Sequence, residues 1–197
     1  MTCCGLFFYL TAFSQLLTKE QLDQYPIYTS LEEALQNPTE VYRFKWKGKI
    51  DSLPENFFLL TNLQELNLSK CRLLSVNQQI GELKKLQYLN VARNRLVSLS
   101  ETIGQLTHLK YLIINRNMIG CLPESIGALH ELIYIDAWDN PMYELPESIV
   151  NLQNTLKTID LRQIALHNDE LDKMEKMLPN TDIKITSTCD CNDGRDD

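Results

Sequence analysis

The sequence predicts an α/β solenoid in which short repeats stack and their strands form one parallel sheet. Three observations predict it. Leu63, Leu86, Leu109 and Leu132 are each 23 residues apart, and a unit that short buries a core only by stacking on copies of itself. Within each unit apolar residues fall at the first, fourth and sixth positions, as in Leu86/Leu89/Val91 and Leu109/Leu112/Ile114. The fourth-to-sixth alternation is that of a strand with one face buried. The ninth position holds Asn94, Asn117 and Asn140, an amide that donates and accepts where the backbone turns out of its ladder.

Taken from the N-terminus, the chain opens on an apolar run, Gly5 to Phe13, followed closely by the small residue Ser14. The run has the length of a signal-peptide core, and residues 1–14 are expected to be such a signal, cleaved after Ser14. No Lys or Arg precedes it, which fits the alternative, an apolar helix packed on the solenoid's end. Residues 15–40 read as a helical cap: Ser30-Leu31-Glu32-Glu33 has capping-box spacing, and the helix it starts should stop before Pro38 and cover the edge of the first strand.

The repeats span residues 41–166, about six units beginning at Val41, Leu63, Leu86, Leu109, Leu132 and Leu156. The return arcs carry Leu-Pro pairs and then Ile80-Gly81, Ile103-Gly104 and Ile126-Gly127, whose apolar members fill the outer half of the core. Cys71 precedes the Asn series and Ile164 follows it, so the ladder should end there. Residues 167–187 predict a helix with Leu171, Met174 and Leu178 on one face, ending at Pro179, and a last strand at Ile183 and Ile185. Residues 188–197, ending CDCNDGRDD, have no apolar pattern and read as an acidic disordered tail.

Leu109 to Leu129, LKYLIINRNMIGCLPESIGAL, resembles the 23-residue type of leucine-rich repeat, as found in Ras-binding scaffold proteins and many bacterial proteins. The resemblance covers about residues 41–166 and implies a horseshoe with a parallel concave sheet. For function it implies a recognition surface and leaves the ligand open. It also carries an alternative, an intracellular scaffold or regulator of signalling proteins, in which the N-terminal apolar run is a structural cap.

No catalytic constellation is present. His108, His130 and His167 occupy unlike repeat positions, and no phosphate-binding glycine loop or nucleophile-elbow motif occurs. No His, Cys or carboxylate set has metal-ligand spacing, and no cofactor is implied. Cys71 and Cys121, two units apart, lie beyond disulfide reach and read as buried thiols. A formal net charge of -7 argues against a nucleic-acid binder, and no run approaches the roughly 18 apolar residues of a membrane-spanning helix.

What remains is the concave face, read as the second, third, fifth, seventh and eighth positions of each unit. The third position runs Arg43, Glu65, Tyr88, Tyr111, Tyr134, Thr158. The eighth runs Gly48, Lys70, Arg93, Arg116, Asp139, Gln163, with Trp138 and Arg162 at the seventh and Asp136 and Asp160 at the fifth. A basic middle, an aromatic stripe and an acidic end point to a protein or peptide ligand, because Tyr, Trp and Arg dominate interface hot spots. The residues expected to bind it are Tyr88, Arg93, Tyr111, Arg116, Tyr134, Asp136, Trp138 and Asp139. Six strands about 4.8 Å apart, each about 17 Å long, make a footprint of about 400 Å², half of one partner's usual share.

Overall fold

A computed structural model describes residues 16–164 and 168–186 of the chain. The expected signal at 1–14, the tail at 188–197, His167 and the cysteines at 3, 4, 189 and 191 lie outside the described residues. The strands are β1 (Ile27–Tyr28), β2 (Arg43–Lys45), β3 (Glu65–Asn67), β4 (Tyr88–Asn90), β5 (Tyr111–Ile113), β6 (Tyr134–Asp136), β7 (Thr158–Asp160) and β8 (Asp182–Lys184). They form one eight-stranded sheet in chain order, every pair parallel. Equivalent repeat positions are in register: Tyr88 faces Tyr111, Tyr111 faces Tyr134, and Leu89, Leu112 and Ile135 follow one another in the row behind.

The core follows the period. Leu86, Leu109, Leu112, Ile114, Leu132, Ile135 and Ala137 have no accessible surface. Each unit before the last returns through a 3-10 segment, of which Glu101–Gln105 and Glu124–Ala128 are typical, with Ile103 and Ile126 pointing inward. The first unit substitutes aromatic bulk: Phe44 meets Phe57 edge-on at 5.2 Å, and Trp46 lies 6.0 Å from Phe44.

The asparagine ladder has the predicted role. Asn94 Oδ1 accepts from the backbone N–H of Cys71 (2.9 Å) and Leu73 (3.1 Å), and its Nδ2 donates to the carbonyls of Leu68 and Val91, both at 2.8 Å. Asn117 and Asn140 repeat the two carbonyl bonds one and two units on, each accepting from one backbone N–H, that of Leu96 and of Ile119 respectively. The side chain of Cys71, where an asparagine would start the row, makes a 3.5 Å thiol contact to the Ser69 carbonyl.

Three expectations are corrected. The edge of β2 is covered by strand β1, paired Ile27 to Arg43, while the Ser30 helix α2 (Leu31–Ala34) lies between the two strands in sequence. Ser30 caps α2 through Glu33 N at 3.3 Å, but the reciprocal capping box belongs to Thr18 and Gln21, which start α1 (Lys19–Leu22). Cys121 is exposed, not buried: it occupies the repeat position of the exposed Ser75 and Ser98, just outside buried Leu122. At the C-terminal end, α3 (Asn168–Met177) buries Met174 and Met177, with Leu178 just after it, and β8 closes the sheet.

Candidate functional site

The concave face is built from the odd positions of the strands, since a strand that buries its middle residue must present its neighbours. Its centre is the aromatic row. The rings of Tyr88 and Tyr111 stack in parallel, 4.7 Å apart and 5° from coplanar, and Tyr134 lies 6.4 Å from Tyr111 at a tilt. Burial is the main cause of a raised phenol pKa at Tyr88 and Tyr134, with nearby Tyr111 and the Asp136 and Asp160 carboxylates adding to it respectively. Both hydroxyls are neutral at physiological pH, able to donate and accept. Ile113, half-buried at the fifth position, adds an apolar patch beside them.

Toward the C-terminal end, the Arg116 guanidinium lies 4.4 Å over the Trp138 ring and 3.4 Å from Asp139. Cation and ring hold each other in an extended arrangement without either being buried. Arg93, Arg116 and Asp139 sit where the chain turns out of the strand, in the left-handed conformation at φ 57°, 54° and 58°. They border the face at its rim; the tyrosines form its floor.

The acidic end contains two unlike carboxylates. Asp160 has a side chain only 2% exposed, yet Arg162 forks onto it with Nε–Oδ1 at 2.9 Å and Nη2–Oδ2 at 2.6 Å. Burial pushes its pKa up, but the Arg162 hydrogen bonds outweigh this and hold it below the ordinary value. Asp136 accepts from Asn115 Nδ2 at 2.6 Å through Oδ2, while Oδ1 is buried and the Trp138 backbone N–H stands near the carboxylate. Burial raises its pKa, and the neighbouring Asp160 charge adds to it against the Asn115 hydrogen bond.

With the folded-state value above the unfolded one, Asp136 holds its proton more tightly when folded, so its ionisation removes stability as pH rises through that range. Asp136→Asn is expected to raise the thermal midpoint at pH 7 and to flatten the midpoint's decline just above the ordinary value of 3.8. Calorimetry across pH 3 to 7 checks this; a lower midpoint at pH 7 would contradict it.

Part of the expected surface is used internally. Gln64 and Gln87, at the second position, are buried beneath the segment that precedes α1: Leu17 N–H donates to Gln64 Oε1 and Gln87 Nε2 donates to Leu17 O, each at 2.8 Å. Lys19 follows, 3.1 Å from Glu65 and 4.8 Å over the Tyr88 ring. Burial opposes its charge, but hydrogen bonds to Asp23 and Glu65 raise its pKa overall. Arg43 is consumed by Glu65, Asp23 and the Tyr25 carbonyl. A pocket of about 150 Å³ remains between Lys19, Glu65, Asn67, Tyr88, Asn90 and Tyr111.

The structure therefore brings Tyr88, Tyr111, Tyr134, Asp136 and Trp138 together on one surface and sets Arg93, Arg116 and Asp139 along its border. Lys19 and Ile113 were missed from the sequence. Ile113 carried a signal, an apolar residue in a fifth-position row of Asn and Asp; Lys19 carried none, because nothing periodic ties it to Tyr88. Among the described residues no His, Cys, Asp or Glu group could hold a metal ion, and no helix is long and apolar enough to cross a membrane.

A family model described as a leucine-rich repeat region matches residues 97–190, and one described as a leucine rich repeat matches residues 61–119. No curated protein matches the chain in sequence. Among solved structures, a leucine-rich-repeat protein of Leptospira interrogans is similar at 25% identity and a TM-score of 0.61, over 82% of this chain and 54% of that one. Internalin C2 from Listeria monocytogenes aligns at 20% identity and a TM-score of 0.65, over 80% of this chain and 66% of its own. The ectodomain of a plant membrane receptor kinase from Arabidopsis thaliana, solved in complex with Casparian strip integrity factor 2, aligns at 24% identity and a TM-score of 0.58. The chain covers 18% of that ectodomain and under two thirds of the other two.

Proposed function

The chain belongs to the leucine-rich-repeat family, and from that premise we propose that it is a non-catalytic module binding a protein or peptide ligand on its concave face. The observation that carries this reading is the aromatic floor: two tyrosine rings stacked at 4.7 Å, a third beside them, and an Arg116–Trp138 pair at the border. Such side chains lose little conformational entropy on binding, because neighbours already hold them. Tyr111, Tyr134 and Trp138 are the anchors we assign, with Arg93, Arg116, Asp136 and Asp139 setting charge complementarity and Tyr88 half-covered by Lys19. The plant receptor ectodomain, solved in complex with Casparian strip integrity factor 2, supports ligand recognition as a use of this fold.

Export is the location we favour, on the apolar run from Gly5 to Phe13. A mature chain beginning at Gln15 supports it, and an intact Met1 or Thr2 argues instead for the intracellular scaffold. The concave site is tested on a partner recovered by affinity pull-down with the full chain. Replacing Tyr111, Arg116 and Trp138 together by Ala should weaken that partner's binding at least about tenfold while the circular dichroism spectrum is retained. Unchanged affinity would place the ligand elsewhere.

A further inference from the structure

The net charge of -7 conceals a basic rim. Where β3, β4 and β5 end, the chain turns out through Ser69 to Ser75, Ala92 to Ser98 and Asn115 to Cys121, segments that contain Lys70, Arg72, Arg93, Arg95 and Arg116 and no acidic residue. All five cations are exposed. Arg116 is paired with Asp139, but among the described residues no carboxylate pairs with Lys70, Arg72, Arg93 or Arg95. Lys70, Arg72, Arg93 and Arg116 stand in the left-handed region, φ 54° to 67°, a conformation that L-residues adopt at a cost.

Apolar side chains accompany the charges along the same rim. Leu74 is 56% exposed, Val97 61% and Met118 60%. Leu74 and Val97 occupy the same repeat position, so they line up as the cations do. Three large exposed apolar residues thus stand along the edge that carries the cations.

We propose that this rim, bordering the concave face and centred on Arg72, Leu74, Arg95 and Val97, is a second interaction surface that takes an acidic segment of a partner protein bearing apolar side chains. Charge complementarity selects the occupant. Lys and Arg in successive units, one strand spacing of about 4.8 Å apart, present a narrow row that a single extended or helical segment can follow. An anionic membrane plane fits less well. It meets the whole protein, whose charge is negative and whose C-terminal end carries Asp139, Asp160 and Asp182, within a Debye length of about 8 Å.

The test uses the full chain and short random peptides selected by display, with the strongest binder synthesised. The rim predicts enrichment of Asp and Glu together with Leu, Val or Phe, and affinity that falls as salt rises. Arg72→Gln/Arg95→Gln and, separately, Leu74→Ser/Val97→Ser should each weaken that peptide about tenfold. Tyr111→Ala/Trp138→Ala should not weaken it. All substituted rim residues are exposed, so an unchanged thermal midpoint certifies the fold of these variants. Enrichment without acidic bias, or affinity indifferent to both rim variants, overturns the proposal. Loss on Tyr111→Ala/Trp138→Ala alone assigns the peptide to the concave face and sinks the rim while leaving that reading intact. Rim-dependent binding to phosphatidylcholine vesicles holding about 30% phosphatidylserine, without acidic peptide binding, would replace the protein partner by a membrane.

Discussion

Asn94→Ala is expected to lower the unfolding free energy by about 3 to 4 kcal/mol, more than the same change at Asn117, which should cost about 2 kcal/mol. The difference comes from how the ladder shares its acceptors. Val91 O receives Nδ2 from both Asn94 and Asn117, and Ile114 O receives it from both Asn117 and Asn140. Removing Asn117 therefore leaves each carbonyl one donor and strips only the buried Leu96 N–H of its 3.1 Å acceptor. Asn94 opens the row: it accepts from two backbone N–H groups and is the donor to Leu68 O, so its loss strands three buried groups at once. Cys71, one unit earlier, cannot substitute, because a thiol is a weak donor. Arg93→Ala, next to Asn94 but exposed, should shift stability by no more than about 0.5 kcal/mol. Urea unfolding of the three variants checks the order, and equal losses at Asn94 and Asn117 would refute the shared-acceptor account.

Gly104→Ala should cost about 2 to 3 kcal/mol, the usual range for forcing an extra methyl into packed backbone. A Cβ there would stand 2.6 Å from both the Cβ and the carbonyl oxygen of Ser125, in the next 3-10 segment. Neither atom is the far end of a flexible side chain, so relief requires the two segments to move apart along the stack. The equivalent residue of the last such segment, Glu147–Leu152, is Val150, which is 39% exposed. Among the described residues no further 3-10 segment stacks on it, and α3 takes that place. Gly120→Ala is the contrast: its Cβ would meet only the Tyr143 ring, at 3.5 Å, and stability should change by less than about 0.5 kcal/mol. Thermal unfolding separates the two, and a tolerated alanine at 104 would mean that the units stack more loosely than these distances imply.

These two cases show why so much of the fold was legible. Asn94, Gly104 and Leu112 are each defined by contacts to the neighbouring unit, so a 23-residue spacing carries their structural role directly. The tyrosine row was legible for the same reason, since parallel register places Tyr88, Tyr111 and Tyr134 side by side. Which of them lies open was not legible. Lys19 reaches Tyr88, and Gln87 reaches Leu17 across 70 residues of sequence, through a segment outside the repeats. Arg43 belongs by position to the concave face, but the same N-terminal segment supplies Asp23 to it and buries it.

The sequence by itself determined the solenoid, its core rows, the asparagine ladder and the identity of the concave floor, because each rests on interactions that recur at a constant separation. Only the tertiary structure decided that β1 caps the sheet, that the chain's own residues 17–23 cover Arg43, Gln64, Glu65, Gln87 and part of Tyr88, and that the cations after β3 and β4 meet no carboxylate among the described residues. Those features depend on where non-repeating segments fold back and on which charges find partners in space, and neither is encoded in a period.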